Sequence, residues 1–176
     1  TTHDGGKTLK VILKALEDAG YYVKHTVLNS MNYGVPQMRQ RVYFVGIRKD
    51  LAIPNKNYVW DFQQKAKPIQ EILVSENNEI SETDLKYFIE YLNNKTNQGK
   101  ISLNEILKKE YVVVDTRQSD LRLYYNRIPT LRSFRDGLYY VRNGKLRTLT
   151  GYEAMLIQGF SPEYAQKVKD VKDRDL

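Results

Sequence analysis

The chain has 176 residues, is 41% hydrophobic and 28% charged, and carries a formal net charge of +7. That is a globular composition with room for one domain or two small lobes, and no apolar run approaches the ~20 residues needed to cross a bilayer. It has no cysteine and only 2 histidines, so disulfides and cysteine-ligated metals are excluded and no metal site is expected; with no basic-then-apolar leader, the cytoplasm is the expected compartment.

Leu9, Ile12, Leu13 and Leu16 recur at helical spacing, with Lys10, Lys14, Glu17 and Asp18 on the other face. Gly20 stands where a glycine commonly ends a helix. "YYVKHTVL" then reads as a strand, 29–36 as a loop rich in Asn, Gly and Pro, and "RVYFVGI" as a second strand. Helix, strand, loop, strand is consistent with the edge of an α/β sheet. Residues 48–67 read as a connection. From Ile69 to Glu110 the character is mostly helical with polar interruptions. Ser81 followed by Asp84 resembles a capping box, and Leu85, Phe88, Ile89 and Leu92 form one apolar face suited to core packing. Between 111 and 150, short β-rich runs are separated by turn signals, and both "RDG" and "RNGK" look like hairpin turns. A last helix starts near Thr150 and breaks at Gly159. No internal repeat is present.

The charge is concentrated. Residues 56–110 hold 8 basic and 9 acidic side chains, whereas 111–150 hold 8 basic and 3 acidic ones. Seven of the latter bases are Arg, whose planar fork suits phosphate oxygens and guanine edges. A nucleic-acid partner fits this block; a plain solvated face, with about half of these Arg side chains covering aromatic rings, is the competing reading. The set Tyr124, Tyr125, Tyr139 and Tyr140 suits sheet packing better than base stacking, and Leu149 and Leu156 suit a core.

Gln37, Arg39 and Arg41 stand at alternate positions after Gly34-Val35-Pro36. On a regular strand they project from one face, just before "YFVGI", which is apolar on both faces like an interior strand. Three multi-donor side chains there ask for an anionic or carbonyl-rich partner, or else form a solvated strand end.

These residues resemble motif VIII of the DNA (cytosine-5) methyltransferases, Gln-x-Arg-x-Arg after Gly-(Val/Ile)-Pro. "TLKVILKALEDAGYYVKHTVLNSMNYGVPQ" resembles the family's motif VII region, "IPTLRSF" the Thr-Leu signature of its target-recognition region, and "RTLTGYEAMLIQGF" its motif IX. Roughly half the chain is covered; residues 55–123 are not, and that region varies in the family. The resemblance implies a partial edge of a Rossmann-like methyltransferase sheet plus a mixed α+β target-recognition lobe. It divides the chain into 1–54 (catalytic domain, C-terminal part), 55–146 (target recognition) and 147–176 (returning toward the catalytic domain).

The family flips a cytosine out of duplex DNA, adds a Cys thiolate to C6, and methylates C5 from S-adenosylmethionine. Charge builds on N3 and O2 as the thiolate adds, so fixed donors there lower the barrier. By position, Arg41 corresponds to the O2 and phosphate contact, while Gln37 and Arg39 hold backbone or support the flipping loop. Thr130 and Leu131 are expected at the DNA groove, and Arg132, Ser133 and Arg135 at base or phosphate. Arg147, Thr150, Glu153, Gln158 and Gly159 are expected to organise the recognition lobe.

The sequence contains no Phe-x-Gly-x-Gly donor loop, no Pro-Cys-Gln and no Glu-Asn-Val. The expectation is therefore a C-terminal portion that does not methylate alone. It would need an N-terminal catalytic half, in the same chain or as a separate subunit, and would hold no cofactor itself. It is also expected to self-associate through the uncovered strand at 41–47. Duplex DNA is the expected partner, in a bacterial cytoplasm at the nucleoid. Two alternatives stay open: a DNA-binding module without chemistry, and part of a tRNA cytosine-5 methyltransferase.

Overall fold

In a computed structural model the described residues are 3–52, 59, 63–132 and 135–167. The chain divides into two compact units, residues 1–29 with 40–63, and residues 30–39 with 64–176. The loop 30–39 goes with the second unit, and so do the described residues from 147 on.

The first unit is one helix and one hairpin. Helix α1 spans Lys7–Asp18 and carries the expected apolar stripe. Gly6 stands at its N-cap, and Asp4 before it accepts from the Thr8 amide at 3.1 Å. Gly20 has φ +91 and ends it, in the left-handed region open to glycine. Strand β1 (Tyr21–Asn29) leads away from that turn. A later strand of the same unit, β3 (Gln40–Arg48), pairs antiparallel with it from Tyr21↔Arg48 to Asn29↔Gln40. These two strands form a sheet of their own. The expectation of an interior strand is not met within the unit: Tyr43, Phe44 and Ile47 are exposed. None of the unit's described residues is buried.

The second unit holds the core. Short strand β2 (Gln37–Met38) pairs in parallel with β6 (Ile128–Pro129). Helices α2 (Glu82–Leu92) and α3 (Leu103–Leu107) precede a four-stranded sheet ordered β5-β4-β7-β8. Its strands are β4 (Val113–Asp115), β5 (Arg122–Tyr124), β7 (Leu138–Arg142) and β8 (Lys145–Thr148). Alternation sorts its side chains. Val113, Leu138 and Tyr140 pack with Ile69, Ile72, Leu73, Ile128 and Ile157. Val112, Val114 and Val141 pack with Phe88, Leu92 and Ile106 from α2 and α3. Helices α4 (Gly151–Ile157) and α5 (Pro162–Gln166) follow.

Several local expectations meet the structure directly. Ser81 caps α2 by accepting from the Asp84 amide at 3.1 Å. The turn Asn143-Gly144 closes the β7–β8 hairpin with both residues at positive φ, 54 and 66, as a two-residue turn of the right twist demands. Leu149 and Leu156 pack against the first core group.

Others do not. Helix occupies far less of 69–110 than the composition suggests, because long-range bonds claim the backbone. The Ile80 amide donates to Leu146 O and the Thr148 amide to Asn78 O, which lays residues 78–80 along β8. Asn97 pins the stretch after α2 by donating to Tyr91 O and Ser119 O and accepting from the Leu121 amide. Ile89 and Tyr125 lie exposed rather than packed. Asp136-Gly137 is no hairpin turn, since β7 takes β4 and β8 as neighbours.

Candidate nucleic-acid interface

The Gly-Val-Pro turn is built by close approach. Gly34 has φ +92, and a Cβ there would lie 3.1 Å from Gln64 Oε1. Its amide donates to Gln64 O, and the Gln64 amide donates to Asn32 O. The chain leaves the turn as β2 and is caught at once by β6. Ile128 N donates to Pro36 O at 2.9 Å, and the Thr130 hydroxyl donates to Met38 O. The regular strand expected to carry Gln37, Arg39 and Arg41 on one face is therefore interrupted at Arg39, where β2 ends and before β3 begins. The reason is tertiary: β2 takes β6 as its neighbour, and β3 takes β1.

The three side chains meet different fates. Gln37 is buried, and its Nε2 is the one buried side-chain polar atom without a hydrogen-bond partner among the described residues. Arg39 is exposed in the second unit. Arg41 is exposed in the first, its Nη1 donating to Gln40 O at 2.7 Å.

The Thr-Leu segment is anchored inward. The Thr130 hydroxyl donates to Met38 O and Leu131 packs against the first core group, each side chain half-buried. Arg132 and Arg135 are exposed. Ser133 lies outside the described residues.

The Arg-rich block sorts cleanly. Arg117 forms a buried pair with Asp115 at 2.7 Å, and Arg122 pairs with Asp120 at 3.0 Å. Arg142 donates to Val74 O and Ser75 O. Arg147 donates to Asn78 Oδ1 and Glu76 O. Arg127 lies 5.8 Å from the centre of the Tyr124 ring and is the one that covers an aromatic face. Arg132 and Arg135 make no ion pair or side-chain hydrogen bond with described residues. Most of this block thus satisfies internal carboxylates and carbonyls, and the remaining cations flank the Thr-Leu segment.

Motif IX folds into a buried polar lock. Thr150 caps α4, accepting from the Glu153 amide while Glu153 accepts from the Thr150 amide. Glu153 is fully buried and also accepts from the Ser75 amide at 3.0 Å and the Tyr140 hydroxyl at 2.8 Å. Burial, with the Glu153 carboxylate beside it, pushes the Tyr140 hydroxyl well above its ordinary value, so it remains a donor. Asn78 joins by donating to the Tyr140 oxygen and accepting from Arg147. Gln158 is exposed and bonds back to Ala154 O. Gly159, at φ +94, brings its backbone against Val35: a Cβ would stand 2.9 Å from Val35 Cγ1. Motif IX therefore touches the Gly-Val-Pro turn directly. Ser75, Asn78 and Tyr140 were not legible as members of this lock, because their partners lie up to 78 residues away in sequence.

A family model described as C-5 cytosine-specific DNA methylase matches residues 1–175. Type II methyltransferase M.MspI of Moraxella sp is 36% identical over 169 residues, covering 92% of this chain and 35% of the relative. Type II methyltransferase M.NgoBI of Neisseria gonorrhoeae is 30% identical, covering 93% of this chain and 48% of the relative. The chain thus spans between a third and a half of these curated relatives. A solved structure, the Entamoeba histolytica methyltransferase EhMeth, superposes with a TM-score of 0.51 at 20% identity over 96% of this chain and 51% of that one, a likeness of fold.

Proposed function

The chain belongs to the C-5 cytosine-specific DNA methylase family, and from that premise we propose that it supplies the target-recognition part of a DNA (cytosine-5) methyltransferase together with one wall of the active site. The observation that carries the reading is the sorting of the arginines. Five of the seven between 111 and 150 make an ion pair, a hydrogen bond or a ring contact within the second unit, Arg122 and Arg127 doing so at its surface, while Arg132 and Arg135 beside the Thr-Leu segment, and Arg39 after β2, are exposed. Exposed guanidinium groups on a rigidly anchored backbone suit phosphate and base-edge contact. Residues 55–146 then act as the recognition lobe, and 147–176 return from it.

In this reading Arg41 donates to O2 of the extruded cytosine and to the neighbouring phosphate, where negative charge grows as the ring is attacked. Thr130 and Leu131 hold the recognition segment in place instead of touching the groove. Gln37 and Arg39 support the backbone that leads to Arg41. The nucleophilic thiolate and the methyl donor belong to the remaining length that the relatives possess. S-adenosylmethionine presents an adenine, a ribose and a charged methionine end, which together ask for several donors and acceptors. One orphaned amide, Gln37 Nε2, does not make such a site, so no step is assigned to the donor within this chain. The apolar face of the first unit is the surface we assign to the missing part of the catalytic sheet. Among the described residues no helix is long and apolar enough to cross a membrane, and a cytoplasmic enzyme acting on the nucleoid fits the reading.

Binding to labelled duplex DNA across a salt series, with tRNA as competitor, tests it. Duplex binding that weakens steeply with salt and resists tRNA is expected. Arg132→Ala should then relax sequence preference; uniform weakening on every sequence would make Arg132 a phosphate contact. Preference for tRNA would move the protein to the RNA-methylating branch, and no binding to either would remove the recognition role.

A further inference from the structure

The carbonyls on either side of the Arg132–Arg135 stretch, those of Thr130 and Gly137, are both held by one dipeptide from another loop. Arg117 Nη1 donates to Thr130 O at 3.0 Å. The Thr116 amide donates to Gly137 O at 2.8 Å, and the Thr116 hydroxyl donates to the same oxygen at 3.1 Å. Arg117 is in turn fixed by Asp115, with Nε to Oδ1 at 2.7 Å and Nη2 to Oδ2 at 2.8 Å, the fork-on-fork geometry that leaves a guanidinium one orientation. Its side chain is 7% exposed, so it is not offered to DNA. Gly137 packs tightly on this dipeptide: a Cβ would lie 2.8 Å from Thr116 Oγ1 and 3.2 Å from Arg117 Cγ.

We infer that Thr116 and Arg117 are positioning residues for target recognition, a clasp that fixes where Arg132 and Arg135 are presented to the duplex. The inference rests on the target-recognition reading above. Its physical content is that two exposed, rotamer-rich cations discriminate sequence only if their backbone is stationary, because a mobile donor reaches wrong bases as readily as right ones. Asp115, at the end of β4, transmits the rigidity of the four-stranded sheet to the clasp. Neither Thr116 nor Arg117 falls in a motif the family resemblance marks.

The test uses the whole 176-residue chain and a pool of duplexes with a randomised stretch, sequencing the bound fraction and measuring affinity for the best and for a scrambled duplex. Arg117→Met is expected to lower discrimination between the two about tenfold or more, the size of one or two misread base pairs, with affinity for the scrambled duplex held within about threefold. The double variant Asp115→Asn with Arg117→Met serves where the lone carboxylate unfolds the single one. Thr116→Val, which keeps the side chain's size but removes the hydroxyl that donates to Gly137 O, should lose discrimination, and Thr116→Ser, which keeps that hydroxyl, should retain it. Wild-type-like discrimination in the Arg117 and Thr116→Val variants overturns the clasp and leaves the recognition reading standing. Equal loss on both duplexes also overturns it, making these residues general scaffolding. A wild-type chain that selects no sequence overturns both readings together.

Discussion

The two units of this chain use similar residue types to opposite effect. Phe88 on α2 is 1% exposed, whereas Phe44 on β3 is 36% exposed. The second unit has a sheet covered on both faces and a carboxylate, Glu153, buried with its partners. The first has an amphipathic helix and a hairpin, and none of its described residues is buried. Two strands and one helix bury too little apolar surface to be stable alone. The difference shows that apolar pattern states a requirement for burial, and that the burying surface need not be supplied by the same segment. Under the proposed function, that surface for the first unit would come from the further length that its relatives possess.

The comparison breaks or sharpens under substitution, starting with the largest effect. Phe88→Ala empties a site between α2 and the sheet and should cost the second unit about 3–5 kcal/mol, read by denaturant unfolding. A cost near zero would mean that the second unit is as loosely built as the first. Next comes the Asp115–Arg117 pair. Burial raises the Asp115 carboxyl, but the Arg117 hydrogen bonds and charge outweigh it and hold the group below its ordinary value of 3.8. Its stabilising contribution is thus present above that ordinary value and lost as pH falls through the lower folded value. Asp115→Asn should cost about 3–5 kcal/mol near neutral pH, and its deficit against wild type should shrink in acid. A deficit independent of pH would place the cost in packing instead of charge. The smallest effect belongs to the first unit. Phe44→Ala should change unfolding by within about 0.5 kcal/mol, while reducing concentration-dependent association in sedimentation. A large loss of stability there would show that the hairpin face is covered within the chain.

What the sequence made legible is whatever short-range chemistry decides. The spacing of Leu9 to Leu16, the glycine after α1, the serine before α2 and the Asn143-Gly144 turn each act within a few residues, and each appears where the pattern puts it. The residues of motif IX were legible as a group, and the structure brings Arg147, Thr150 and Glu153 into one network. Illegible was the interruption at Arg39. Period-two alternation is a local rule, and the strand that captures β2 lies some 90 residues onward, with Thr130 bonding Met38 across a separation of 92. Asn78 was illegible for the same reason, since nothing near it announces Arg147, 69 residues away. The Arg-rich block was legible as a concentration of charge, but not in what each side chain meets: Arg127 alone among its described residues covers a ring, and Arg117, Arg122, Arg142 and Arg147 bond carboxylates or carbonyls of the same unit.

The packing of Gly159 on Val35, together with the parallel pairing of Gln37–Met38 on Ile128–Pro129, bears on how such a protein could be recombined. A designer exchanging specificity between two family members would be tempted to cut at the sequence boundary near residue 55 and graft everything after it. That cut leaves 30–39 behind with the host, although this decapeptide packs with the grafted body. A working chimera has to carry two separate pieces of the donor, the decapeptide and the lobe, or else match both contacts in the recipient. On the proposed function, specificity in such a chimera would be inherited as a discontinuous parcel.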